Sequence, residues 1–371
     1  MVEMNIYHER LAKVLVNYSI GVKPGMNVGI VGITETEPVM MEVYKEVLKA
    51  GAYPSLMPQF SHASEVFYAY ANEEQIGKTD PLFEFIAKNY DALISVWADV
   101  NTKALTNVPP EKLAKKQMAG KPIRDILNER EKNGEYQWVL TGYPTDARAQ
   151  DAGMSLMEYE DFIFKAALLD KDDPVAEWKK ISKGQEKIKL WLDKTKELRY
   201  VGLDTDLTFS TRGRKWVNCD GKKNFPDGEV FTCPVEDSGN GTIRFTYPLI
   251  YMGNEIEDVS LTFKDGEVKE FSAKKGEPLL RKLLESEEGA RRVGEAAIGT
   301  NYGVSRFTKN MLYDEKIGGT IHLALGFSAD PTIGKNKAPI HLDILKDMRD
   351  GGKIYADDEL FYENGKFILE F

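Results

Sequence analysis

Along the first 145 residues, apolar positions at helical spacing alternate with short unbroken apolar runs. Leu11, Val14, Leu15 and Tyr18 recur at helical intervals, and Pro24-Gly25 supplies a turn. Asn27-Val28-Gly29-Ile30-Val31-Gly32 then reads as a buried strand. A helix follows at once. Thr36 stands at its N-cap, Pro38 in its first turn, Val39, Met40, Val43, Tyr44 and Val47 at its apolar positions, and Gly51 at its stop. Residues 53–57, 91–97 and 136–141 read as further strands, with a helical region reaching Lys88 before the second of them. Strands that are apolar on both faces and separated by helices predict a parallel sheet covered on both sides, a Rossmann-like α/β domain.

The pattern then changes. Residues 155–198 are helical, with Trp178, Ile181, Ile188 and Trp191 on repeating faces, and read as a bridge between domains. From Arg199 onward come short alternating segments with Asp-Gly turns at 227–228 and 265–266. The second turn joins 259–263 to 268–271 as a hairpin. One long helix, 278–298, interrupts this part. A chain of 371 residues exceeds one simple core. The expected division is 1–198, the α/β domain with its helical bridge, and 199–371, an α+β domain.

Composition narrows the function. With 42% hydrophobic and 29% charged residues this is ordinary globular composition. No apolar run approaches the roughly 18 residues of a membrane-spanning helix, so no membrane association is expected. The first residues show no basic leader ahead of an apolar stretch. Cys219 and Cys233 form no C-x-x-C pair and read as buried small residues, consistent with a cytoplasmic protein. A net charge of -10 argues against nucleic acid as a partner. Gly29-Ile30-Val31-Gly32 lacks the third glycine of a dinucleotide fingerprint and is better read as close strand packing.

The chemistry concentrates late in the chain. Of four histidines, His322 lies in Gly318-Gly319-Thr320-Ile321-His322-Leu323-Ala324-Leu325-Gly326 and His341 in Pro339-Ile340-His341-Leu342-Asp343. Both segments read as strands. In a strand, residues two apart share a face, so His341 and Asp343 project together. Aspartate at an apolar strand position requires a partner or a metal, and imidazole with carboxylate suits Zn, Co, Mn or Fe. His322 alone reads equally as a satisfied core histidine. Glu229, at the start of the apolar run Val230-Phe231-Thr232-Cys233, also reads as a surface turn residue. Glu295, placed on the long helix, reads either as an exposed helical charge or, beside Ala296, Ala297 and Ile298, as buried.

Four ordered motifs carry a resemblance. They are Pro226 to Pro234, Glu287 to Glu295 with Gly299-Thr300-Asn301, Asp314-Glu315-Lys316-Ile317-Gly318-Gly319-Thr320-Ile321-His322, and Ile340-His341-Leu342-Asp343. Together with Val22-Lys23-Pro24-Gly25 and Lys49-Ala50-Gly51-Ala52-Tyr53-Pro54, they resemble the M29 family of metallo-aminopeptidases, the aminopeptidase T type. The resemblance implies Glu229, Glu295, His322, His341 and Asp343 as ligands of two divalent metal ions (Zn, Co or Mn). It implies hydrolysis of N-terminal residues from peptide substrates by a metal-activated water, and a homodimer. One position departs. Seven residues after the Gly-Gly-Thr-Ile-His histidine the family places a tyrosine, and here Ala329 stands, with Tyr302 or Tyr313 as possible substitutes. The alternatives are therefore another dinuclear metallohydrolase, amidase-like, or a metal-binding homologue without turnover.

Overall fold

The computed structural model describes residues 2–369, with side-chain burial from Ile6 onward. The protein is mixed α/β and divides into two compact units. One runs to Glu177 and includes Gly221–Pro226; the other comprises Trp178–Asp220 and the chain from Asp227. Among the described residues no helix is long and apolar enough to cross a membrane.

The first unit is built on a parallel sheet with strand order Tyr53–Gln59, Asn27–Ile33, Ala92–Trp97, Gln137–Gly142 and Asn224–Phe225. Val28, Ile30, Ala92 and Ile94 are wholly inaccessible, as central parallel strands require. The helix Glu37–Lys49 buries Val39, Met40, Val43 and Val47, one stripe of a 3.6-residue period. Thr36 is its N-cap by position, but its hydroxyl turns back to donate to the Ile33 carbonyl (2.7 Å). At Gly29 an added Cβ would come within 2.8 Å of the Leu93 side chain, which is the close packing that the glycine pair predicts.

The second unit holds two large antiparallel sheets and a two-stranded one, Leu249–Tyr251 with Asn254–Ile256. An eight-stranded sheet runs Glu267–Ser272, Ser260–Lys264, Asn240–Arg244, Thr205–Ser210, Glu197–Gly202, Lys353–Ala356, Glu359–Glu363, Lys366–Phe367. The hairpin over the Asp265-Gly266 turn is present, with a bulge between Thr262 and Phe263. A five-stranded sheet runs His341–Asp347, Thr320–Gly326, Val293–Gly299, Glu229–Thr232, Val217–Cys219. Leu198, Tyr200, Leu207 and Phe209 of the first share one core with Val230, Ala296, Ile298, Ile321, Leu323, Leu325, Leu342 and Ile344 of the second.

One expectation fails here. Residues 278–298 do not form one helix: the helix is Glu277–Leu284, a 3₁₀ turn follows at Glu288–Arg291, and Val293–Gly299 is a strand. Glu295 therefore lies on a strand. All seven residues of that strand are buried, so no polar alternation marks it, and Ala296-Ala297 favour helix locally. Pairing with strands on both sides overrides that preference.

Candidate metal centre

Alternation decides which side chains meet. In the five-stranded sheet, Val230, Ala296, Ile298, Ile321, Leu323, Leu325, Leu342 and Ile344 face the shared core. The residues between them therefore face the other way: Glu229, Glu295, Ala297, His322, Ala324, His341 and Asp343. Across the ladder Glu229 pairs with Gly299, His322 with Ala297, Glu295 and Asp343 with Ala324, and His341 with Gly326. Every polar residue of the set thus has a glycine or alanine beside it on the same face, which leaves room between them.

Glu295 reaches this face through a bulge. Val293 pairs with Leu325 and Glu295 with Ala324, so Gly294 has no partner in the ladder. Val293 is in the core, and without the extra residue Glu295 would share its face. Gly294 fits because nothing larger can: an added Cβ would lie 2.2 Å from the Phe327 carbonyl oxygen and 2.4 Å from that of Gly326. Gly228 does a similar service for Glu229. With φ at +129°, it packs where a Cβ would be 2.6 Å from that of Asn301, and its carbonyl accepts from Thr300 N–H at 2.8 Å.

All five expected ligands converge. His322 Nε2 lies 3.7 Å from Glu229 Oε2 and 3.6 Å from Glu295 Oε1. His341 Nε2 lies 3.2 Å from Glu295 Oε2 and 3.3 Å from Asp343 Oδ1. Ligand atoms of Glu229, Glu295 and His322 fall within 4.8 Å of one another, and so do those of Glu295, His341 and Asp343. Glu295 belongs to both groups and turns one oxygen to each. Glu229, Glu295 and His322 side chains are 4, 7 and 1% exposed, against 31% for His341 and 12% for Asp343, so the second group is the open side.

The donor set fits divalent cations. Glu229 Oε2, Asp343 Oδ1 and His322 Nδ1 are buried and make no hydrogen bond among the described residues. His341 Nδ1 lies 2.8 Å from the Phe327 carbonyl oxygen, to which it donates, leaving Nε2 turned to the carboxylates, where it can bind a cation or carry a proton. Without a metal, protons take up the charge. Burial opposes ionisation of Glu295, but its bonds to His322 and His341 overcome this and hold its carboxyl down at about 2. Against the same opposing burial, the carboxylates push His322 up to about 9 and His341 up to about 12.

Three further charged groups complete the centre. Lys316 Nζ donates to Glu229 Oε1 (2.6 Å) and Glu315 Oε2 (2.9 Å) and lies 3.6 Å from Asp227 Oδ1. Burial, opposed by Lys316, raises the Glu315 carboxyl to about 8. Spacing alone does not single out Asp227, Glu315 or Lys316. The available signal is a run of charges, Asp314-Glu315-Lys316, set directly against a wholly buried strand. Of the two tyrosines considered as substitutes at Ala329, Tyr302 donates its hydroxyl to the Gly365 carbonyl (2.8 Å), and Tyr313 is buried at 1% exposure. Cys219, the half-buried exception to the expectation for the cysteines, brings its sulfur within 4.8 Å of Asp227 and Glu229 ligand atoms.

Known proteins share this arrangement of chain. A family model described as "Thermophilic metalloprotease (M29)" matches residues 5–367. Aminopeptidase 2 of Geobacillus stearothermophilus is 29% identical over 363 residues, covering 91% of this chain and 87% of that protein. Aminopeptidase AmpS of Bacillus subtilis is 30% identical over 353 residues, 82% of each chain. The solved structure of wild-type AmpT from Thermus thermophilus has the same fold, with a TM-score of 0.86 over the whole of both chains at 22% identity.

Proposed function

The chain is a peptidase of the M29 metalloprotease family, and from that premise we propose that it is an aminopeptidase working through two divalent metal ions. Glu229, Glu295 and His322 would hold the deeper ion, and Glu295, His341 and Asp343 the more open one. The observation that carries this reading is Glu295, whose two oxygens face different histidines and which alone belongs to both ligand groups. A carboxylate so placed would let one side chain serve both ions.

Bound divalent ions would supply Lewis acidity toward the peptide carbonyl and toward an attacking water. The chain's own residues do the positioning. The Phe327 carbonyl fixes the tautomer of His341, and the strand ladder fixes His322 and Asp343 in register. His341 and Asp343 are the most exposed of the five, so the free amine and first residue of a peptide approach from their side. Ala329, where the family tyrosine would stand, has no hydroxyl to offer. We place the protein in the cytoplasm as a homodimer, in keeping with its free cysteines and with the family resemblance.

The test is turnover of leucine and alanine anilides by chelator-treated protein reloaded with Co, Mn or Zn, beside the same anilides blocked at the amine. Cleavage of the free-amine substrates alone supports the aminopeptidase. Cleavage of blocked amides points to the amidase-like alternative, and two bound metals without any turnover point to the non-catalytic one.

A further inference from the structure

A third set of metal-capable side chains adjoins the centre and shares Glu229 with it, while its other members, Cys219 and Asp227, have no part in the reaction described above. Ligand atoms of Cys219, Asp227 and Glu229 lie within 4.8 Å of one another. The same pocket receives Lys316, whose side chain is only 2% exposed. Its ammonium is 2.6 Å from Glu229 Oε1, 2.9 Å from Glu315 Oε2 and 3.6 Å from Asp227 Oδ1. An ammonium has three donors and no acceptor, and it is buried without heavy cost only where anions surround it. Lys316 meets that condition.

Glu229 is otherwise held by its backbone alone. Its carbonyl accepts from Gln185 Nε2 at 3.1 Å, and its Cα is registered against Gly299 and Cys219. The side chain is oriented by Lys316. Oε1 is taken, while Oε2, buried and without a hydrogen bond among the described residues, points to His322.

We propose that Lys316 is a built-in cation and a positioning residue. It fills the place a third metal ion would take among Cys219, Asp227 and Glu229, and it presents Glu229 to the deeper ion through Oε2 alone. The centre is thereby limited to two metals and kept free of thiolate ligation. A neutral side chain at 316 would remove that positive charge from among the anions and open the cysteine to a borderline metal, since Co and Zn accept sulfur as well as oxygen. This inference rests on the two-metal reading above.

Titration of the wild-type protein with Co(II), followed by elemental analysis and absorption spectra, tests both levels. Two equivalents should bind with no thiolate-to-cobalt band in the near ultraviolet. Lys316→Met should bind a third equivalent and show that band, and adding Cys219→Ser should remove it. Lys316→Arg, which keeps the charge, should stay at two. A Lys316→Met protein with wild-type stoichiometry, affinity and spectrum overturns the inference and leaves the two-metal centre standing. Wild-type protein that binds no metal overturns both. If Lys316→Met does not fold, the wild-type titration still decides, because a third equivalent with a thiolate band contradicts the role given to Lys316.

Discussion

A single methyl group at position 294 should disturb both sides of the metal centre. An alanine Cβ there would lie 2.2 Å from the Phe327 carbonyl oxygen and 2.4 Å from that of Gly326, where real contacts need at least 3.0 Å. Both obstacles are backbone, so no rotamer change relieves them, and about 0.8 Å of displacement is required. Overpacking of this kind costs roughly 1–3 kcal/mol, or ~3–10 °C in Tm for a unit of this size. The displaced groups matter chemically. Phe327 O accepts from His341 Nδ1 at 2.8 Å, and Gly294 is the bulge that turns Glu295 away from the core. Losing the partner that orients a metal-binding histidine weakens metal affinity by about 10–100-fold. Gly294→Ala should therefore show a lower Tm and, by calorimetric titration of chelated protein with Co or Zn, weaker metal binding. Gly184→Ala is the control, since nothing lies within 4 Å of a Cβ there and the helix Pro174–Leu192 should gain about 0.5–1 kcal/mol. Equal Tm and equal metal affinity for Gly294→Ala and wild type would refute the account of the bulge.

Three other changes probe the centre and its surroundings. Glu295→Gln removes the shared carboxylate; a charge ~4 Å from a cation at an effective dielectric near 20 is worth about 4 kcal/mol, so affinity should fall roughly a thousandfold and metal content to one ion or none. Two tightly held ions in that variant would mean that Glu295 does not bridge. Asp314 is wholly buried, accepts from Thr308 N and Oγ1 through Oδ1, and leaves Oδ2 without a hydrogen bond among the described residues; burial, against the bonds it accepts, raises it to about 7 from 3.8. Its folded form binds the proton more tightly than the unfolded chain, so stability is lost as pH rises from about 4 to 7, up to ~4 kcal/mol. Asp314→Asn should thus gain on wild type across that window in denaturant unfolding of the metal-free protein, and a difference independent of pH would contradict this. Ala329→Tyr should raise kcat more than it changes KM on leucine anilide, by at most ~4 kcal/mol of barrier. A slower enzyme would show that the phenol merely crowds the site.

How much of this was legible in the chain follows from what each residue's neighbours are. The parallel sheet was readable because Val28, Ile30 and Ile94 sit in short apolar runs bounded by helical stretches, and a local pattern of that kind survives folding unchanged. His341 and Asp343 were readable as a pair because period two is a property of the strand itself. Glu295 was grouped by its motif with the side chains it lies among but assigned to the wrong element, since a strand buried on both faces carries no periodic signal and its alanines favour helix. The bulge that turns it toward the histidines exists only in register with Leu325 and Ala324, some thirty residues on. Lys316 was hidden more deeply. A lysine beside two acids in sequence ordinarily marks a solvated turn, and only the return of Asp227 and Glu229 from a distant part of the chain makes it a buried cation. The residues proposed as ligands could be named in advance from local pattern and motif. Lys316 depends on charges brought together by the ladder, and for it the chain offers only the charge run Asp314-Glu315-Lys316, with nothing to say that it is buried.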